Sequence, residues 1–227
     1  MNVLLVYAHP EPRSFNGAMR DVAVNVLTGA GHSVVVSDLY AMDFNATGGT
    51  RDFSSLQDSD FFKYQREQRH AAATSTFAPD VTEEMKKLVA ADLLILQFPL
   101  WWYSLPAILK GWIDRVFAMG FAYDAGRAHE TGPLAGRRAM VSVTTGGPAR
   151  SFGVHAFSPP MDAVLFHIQY GMLHFAGMQV LPPFVAYGAA RITDEERAAS
   201  LGRYREHLLA LETAEPLTFA RDDGPQS

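Results

Sequence analysis

Three stretches of this 227-residue chain carry side chains suited to chemistry as well as to packing. The first, His9-Pro10-Glu11-Pro12-Arg13-Ser14-Phe15-Asn16-Gly17, leads from an apolar run into an expected helix start. Unpaired N–H groups and the positive dipole end at a helix start attract anions, and Ser14 and Asn16 can add side-chain donors. An ordinary strand–helix turn with Ser14 as its cap uses the same residues. The second stretch, Phe98-Pro99-Leu100-Trp101-Trp102-Tyr103-Ser104-Leu105-Pro106, sets three large aromatic side chains in a row. They suit core packing under a lid, a subunit contact, or a stacking wall for a planar aromatic ligand. The third, Thr144-Thr145-Gly146-Gly147-Pro148, pairs two glycines that let backbone approach a ligand with N–H groups free to donate. A plain turn is the alternative there.

Much other chemistry is excluded. The chain has no cysteine, so disulfides, thiolate zinc sites, iron–sulfur clusters and a cysteine nucleophile are absent together. His167 and His174 stand seven apart amid apolar residues, a pattern of packing rather than metal ligation, and no metal is expected. Neither a G-x-G-x-x-G nor a Walker A pattern occurs, nor a G-x-S-x-G elbow. Strand three would end at Gln97-Phe98, where a phosphorylated receiver needs an aspartate. Nineteen basic against twenty-four acidic side chains give a net charge of -5, which argues against nucleic acid or an anionic membrane as partner. A mean hydropathy of -0.01 with 48% hydrophobic residues supports a sizeable core. No apolar run approaches the roughly 20 residues of a membrane helix, and Met1–Ala8 lacks a basic leader region. Those features, with the missing cysteines, suit a soluble protein of the cytoplasm without stable membrane association.

The elements that must position the three stretches alternate strand and helix. Val3–Ala8, Ser33–Ser37, Leu93–Leu96, Met140–Val143 and Val180–Ala186 read as strands, the last broken by Pro182-Pro183 and so at an edge. Phe15–Leu27, a segment through Val89 behind an Asp80–Glu83 capping box, Pro106–Phe117, Asp162–Phe175 and Thr193–Leu211 read as helices. This is the pattern of an α/β, flavodoxin-like, doubly wound five-stranded parallel sheet of order 2-1-3-4-5. Phe44–Pro79 forms a long polar insertion after strand two. Residues 1–220 read as one domain, and Arg221–Ser227 as a disordered tail. In such a sheet ligands bind beyond the carboxyl ends of the strands where the winding reverses, between strands one and three. The three stretches are the loops at that point.

At these loops the chain resembles the NAD(P)H:quinone oxidoreductase (DT-diaphorase-like) family of flavoenzymes. The matching text is Tyr7-Ala8-His9-Pro10 with Ser14-Phe15-Asn16, then Gln97-Phe98-Pro99-Leu100 with Trp102. It continues through Pro106–Trp112, Arg115-Val116-Phe117, Phe121-Ala122-Tyr123 and Thr144–Gly147, and the similarity runs to about Phe219. The resemblance implies a non-covalent flavin, FAD with FMN as the alternative, NAD(P)H as co-substrate, and a homodimer with two sites at its interface. It implies that His9, Ser14, Phe15 and Asn16 hold phosphates and that Pro99, Leu100, Trp102 and Tyr103, beside Trp101, line the isoalloxazine. Thr144, Thr145, Gly146 and Gly147 would bond the ring's pyrimidine edge, and Arg197 and Leu201 would contact adenine. Tyr123 falls on a substrate-pocket position.

By the same likeness the reaction is ping-pong hydride transfer from NAD(P)H through flavin N5 to a quinone or similar planar acceptor. Backbone N–H groups of Gly146, Gly147 and Phe152 would stabilise negative charge on the reduced ring. Two departures stand out. Many members carry a tyrosine and a histidine where this chain has Phe152 and Ser158, and phenylalanine has no hydroxyl to donate. His155, between them, is the histidine placed to substitute. A second pocket tyrosine is replaced by Ala125, and a glutamine of the insertion by Lys63. Three other readings carry the same fold: an FMN-dependent azo- or nitroreductase, an ancillary regulatory subunit of a potassium-efflux system, and a flavodoxin-like electron carrier.

Overall fold

Apolar side chains on both faces require the central strands to be covered twice. β1 (Asn2–Tyr7), β3 (Leu93–Pro99) and β4 (Arg138–Thr144) form that centre, with β2 (Ser33–Asp38) at one edge. The structure, a computed structural model, describes residues 1–219, so the expected tail Arg221–Ser227 lies outside the described residues. All pairings are parallel and the order is β2-β1-β3-β4-β5, as the alternation of elements predicts. The expected fifth strand, Val180–Ala186, is two short strands, β5 (Gln179–Val180) and β6 (Phe184–Ala186). Both pair with β4, β5 at Arg138–Ala139 and β6 at Ser142–Thr144. Pro182 and Pro183 have no N–H to give the ladder, so the edge breaks there and resumes beyond.

Alternate residues of each strand enter two cores. Leu4, Val6, Leu94, Leu96, Val141 and Val143 pack under α3 (Pro79–Ala90), α4 (Ala107–Val116) and α5 (Met161–Ile168). Val3, Leu5, Leu93, Ile95 and Met140 pack under α1 (Phe15–Gly29) and α6 (Asp194–Leu209). Two cap expectations hold: Ser14 Oγ accepts from Gly17 N–H, and Thr193 and Glu196 form a reciprocal capping box. The Asp80–Glu83 box does not form. Proline at the first helical position, Pro79, starts α3 two residues earlier, with Ala78 rather than Asp80 as its cap. The helix expected over Asp162–Phe175 is α-helical only to Ile168 and continues as a π turn over Gln169–His174.

The insertion is not wholly irregular. It holds a helix, α2 (Tyr64–Thr74), and is fixed to α4 by a buried ion pair. Arg115 Nε donates to Asp52 Oδ1 at 2.7 Å, and its other nitrogens reach Asn45 O at 2.9 Å and Asp80 at 2.8 Å. The Cβ that any other residue would add at Gly111 would lie 2.1 Å from Ala46 O, so glycine permits this close seat.

Candidate active site

The first loop is seated by one contact. A Cβ at Gly17 would sit 1.9 Å from Pro12 O, so only glycine lets the loop lie against the first turn of α1. Ser14 caps that turn, and His9 Nδ1 accepts from Glu11 N–H at 3.0 Å. The Phe15 and Asn16 N–H groups have no protein acceptor among the described residues, which leaves a helix-start cradle for an anion.

A buried ladder of amides and hydroxyls lies beneath it. Asn16 Nδ2 donates to Thr144 Oγ1 at 2.7 Å, and Gln97 Nε2 donates to Asn16 O at 2.7 Å. The Tyr204 hydroxyl of α6 donates to Gln97 Oε1 at 3.1 Å, and burial pushes that phenol well above its ordinary value, so it stays protonated. This accounts for a glutamine inside an otherwise apolar strand. Asn16 Oδ1, though buried, has no partner among the described residues. An unpaired buried acceptor at a cleft is the signature of a site that expects a donor from a ligand.

In the second loop, Trp101 and Ser104 exchange both backbone hydrogen bonds, at 3.2 and 3.0 Å, around Trp102 and Tyr103. Both central residues have left-handed φ, +52° and +57°. Such conformations cost bulky residues on the order of 1–3 kcal/mol each and persist where the surroundings impose them, often at functional sites. Here Leu100 N–H donates to Thr144 O at 2.8 Å, tying the second loop to the third. The turn holds Trp102 out from the surface, 96% exposed.

Two adjoining cavities result, of about 440 and 420 Å³, sharing Leu100, Thr145 and Gly146. His9, Ser14, Phe15 and Asn16 line the first, with Pro99, Trp101, Thr144 and Arg197. Trp102, Tyr103, Gly147, Phe152 and Ser158 line the second. The Tyr103 and Ser158 hydroxyls are bonded at 3.0 Å, and the Phe152 ring leans on Tyr187, whose phenol burial raises above its ordinary value. Among the described residues no Asp or Glu lines either cavity.

Four expected residues stand elsewhere or act differently. His155 is exposed at the far end of its loop and lines neither cavity, so it is not placed to substitute for the missing histidine. Leu201 packs on the α1–α6 core and lines neither cavity. Tyr123 lines a separate cavity of about 610 Å³ with Phe175, Met172 and Tyr64. The Phe152 N–H already donates to Ala149 O at 3.0 Å, which removes it as an anion donor; Gly146 and Gly147 N–H have no protein acceptor among the described residues. A fourth loop, between β6 and α6, was not expected at the site and brings Ala189, Ala190 and Arg191 to it. The signal was the register of the broken edge strand: Phe184–Ala186 lies beside Ser142–Thr144, so the chain beyond Ala186 must reach the same rim.

A polar cradle, a buried acceptor without a donor, and a slot with aromatic walls and free glycine amides fit a phosphate-bearing tricyclic cofactor. The model of a family described as having a flavodoxin-like fold matches residues 1–208. A ribosyldihydronicotinamide dehydrogenase [quinone] of Pongo abelii is 42% identical over 216 residues, 95% of this chain and 94% of that protein. NAD(P)H dehydrogenase [quinone] 1 of Cavia porcellus is 41% identical over 218 residues, 96% of this chain and 79% of that one. A solved chain from Klebsiella pneumoniae, proposed to be a quinone reductase, superposes with a TM-score of 0.93 at 42% identity, covering 98% of this chain and 89% of its own. With that fold, those loops and those relatives, the chain belongs to the flavodoxin-like family of NAD(P)H:quinone oxidoreductases.

Proposed function

We propose that the protein binds FAD and reduces quinones or similar planar acceptors with NAD(P)H in ping-pong order, as a cytoplasmic homodimer. One observation carries the reading: the phosphate cradle of α1 and the aromatic slot of the second and third loops adjoin, with Leu100, Thr145 and Gly146 lining both. When bound, the flavin supplies a two-electron relay between nicotinamide and quinone. The chain's part is to hold and shield it. Phe15 and Asn16 amides, Ser14 and His9 would hold its phosphates, and Asn16 Oδ1, a buried acceptor without a partner among the described residues, would take a hydrogen bond from it. Arg197, beside the Phe15 ring at 5.8 Å, adds positive charge at the outer end. The Gly146 and Gly147 N–H groups, without protein acceptors among the described residues, would donate to the ring, where a well-placed donor is worth about 2.7–4 kcal/mol to a developing charge. Trp102 and Phe152 keep the slot apolar so that co-substrates stack in it by turns.

The dimer reading rests on two incomplete surfaces. The second cavity is open on the side where Trp102 and Phe157 stand exposed, at 96% and 94%. The cavity with Tyr123 and Phe175 lies apart, between α2, α4 and the π turn, its aromatic wall edged by Gln65, Gln68, Lys110 and Asp114. Two copies related by a dyad would set the second surface over the first. For compartment, the support is a cysteine-free chain and the fact that among the described residues no helix is long and apolar enough to cross a membrane.

The test is direct. Purified protein should be yellow, release FAD on denaturation, bleach anaerobically with NAD(P)H and regain colour with naphthoquinone, giving parallel double-reciprocal plots. Release of FMN with faster azo-dye than quinone reduction would favour the azo- or nitroreductase reading. A colourless protein that takes up neither flavin would end the proposal.

A further inference from the structure

The chain carries more acid than base, yet its two adjoining cavities are lined by His9, Arg197 and Arg191 and, among the described residues, by no carboxylate. Arg197 is accounted for at the outer end of the cofactor cleft, where Asp194 also stands 3.7 Å from it. Arg191 is not. It sits exposed in the loop between β6 and α6, its backbone fixed by N–H donation to Gly188 O at 2.8 Å, and it lines the second cavity together with Tyr103 and Trp102. Its guanidinium has no ion pair or hydrogen bond among the described residues, whereas Arg13, Arg20, Arg69 and Arg115 are all paired. An unpaired arginine in the lining of an aromatic-walled slot that no carboxylate lines is suited to planar oxyanions, which a guanidinium can grip with two parallel hydrogen bonds.

We propose that Arg191 is a specificity-determining residue that receives an anionic oxygen group, carboxylate, sulfonate or phosphate, carried by the planar co-substrate seated against Trp102 and Phe152. This deepens the quinone-reductase reading and rests on it. The oxyanion could belong to the acceptor, as an acidic substituent on a quinone, or to the donor, as a nucleotide phosphate. Both present the same chemistry, and separate arms of one experiment tell them apart.

Flavin-loaded wild type, Arg191→Gln and Arg191→Lys are compared with naphthoquinone and naphthoquinone sulfonate as acceptors, and with ribosyldihydronicotinamide, NADH and NADPH as donors. In Arg191→Gln the KM of the oxyanion-bearing co-substrate should rise about tenfold, with kcat little changed, the loss expected for one charge-assisted contact. The neutral pair, naphthoquinone with ribosyldihydronicotinamide, should stay within about twofold. A rise confined to the sulfonate assigns the group to the acceptor; one confined to NADH and NADPH assigns it to the donor. Arg191→Lys should recover part of the loss, since it keeps the charge but not the fork. Equal loss for the neutral pair, no loss in any arm, or the same loss in Arg205→Ala, an exposed change on α6, would overturn the assignment. In parallel, quenching of tryptophan fluorescence by naphthoquinone sulfonate gives its Kd without turnover. If the protein reduced no quinone but lost sulfonate affinity in Arg191→Gln alone, the enzymatic reading would fall and the oxyanion site would stand.

Discussion

Asn16 joins two functions in one side chain. Its Nδ2 holds Thr144 across the mouth of the cleft, and its Oδ1 waits for a donor. Asn16→Ala removes both while leaving the backbone carbonyl that Gln97 uses. Flavin affinity, measured by titrating apoprotein and following flavin fluorescence, should fall about tenfold, or about 1.4 kcal/mol. His207 shows the opposite relation, a polar residue whose effect is on the fold. Burial, only partly offset by its bond to Pro182 O at 3.2 Å, holds the imidazole below its ordinary 6.5. The unfolded chain therefore takes up a proton that the folded protein resists. The stability contributed is complete above pH 6.5 and shrinks as pH falls from 6.5 through the lowered folded value. Thermal unfolding at about pH 7.5 and about pH 5.5 should show a smaller loss in His207→Gln than in wild type.

At the scale of elements, the long insertion matters because it is pinned. Asp52 and Arg115 are each about 1% exposed, and Tyr64 OH and Gly49 N–H complete the Asp52 carboxylate. Asp52→Ala leaves Arg115 buried with only the half-exposed Asp80 for charge balance. The expected cost is about 3–5 kcal/mol in denaturant unfolding, because a buried charge loses its compensation. Pairing it with Arg115→Met should restore much of that, since no buried charge then remains and the half-exposed Asp80 is met by water. Such an insertion reads as polar and irregular in the sequence because contacts that hold it join residues well apart along the chain: Asp52 to Arg115, Phe53 to Phe77, Glu67 to the Gln57 and Asp58 N–H groups. The π turn after Ile168 is hidden for a related reason, since Gln169–His174 keeps helical composition while its hydrogen bonding shifts by one residue.

For the whole molecule, the proposed assembly makes a quantitative demand. Sedimentation should give twice 24.9 kDa, and Phe175→Asp, beside Tyr123 in the 610 Å³ cavity, should move the protein toward monomer. Quinone reduction should drop about tenfold or more in that variant while flavin content changes little, because the cradle of α1 lies in the same chain. A monomeric wild type that reduces quinones at full rate would refute the arrangement.

Local pattern was enough to establish the sheet, its order and the three loops at the switch point. Continuous apolar runs, Gly and Pro punctuation and the right-handed crossover rule act over short stretches of chain, so they are legible without coordinates. The loop residues His9 to Asn16, Leu100 to Tyr103 and Thr144 to Gly147 could be read for the same reason. Only the tertiary structure decided what depends on contacts between distant segments. It set His155 outside the site, spent the Phe152 N–H inside a turn, and brought Arg191 to the rim by way of a strand split at two prolines. It also joined Tyr204, Gln97, Asn16 and Thr144, four residues spread over α6, β3, α1 and β4, into one ladder. Hydrogen bonds are satisfied in three dimensions, and a sequence records donors and acceptors without recording which of them meet.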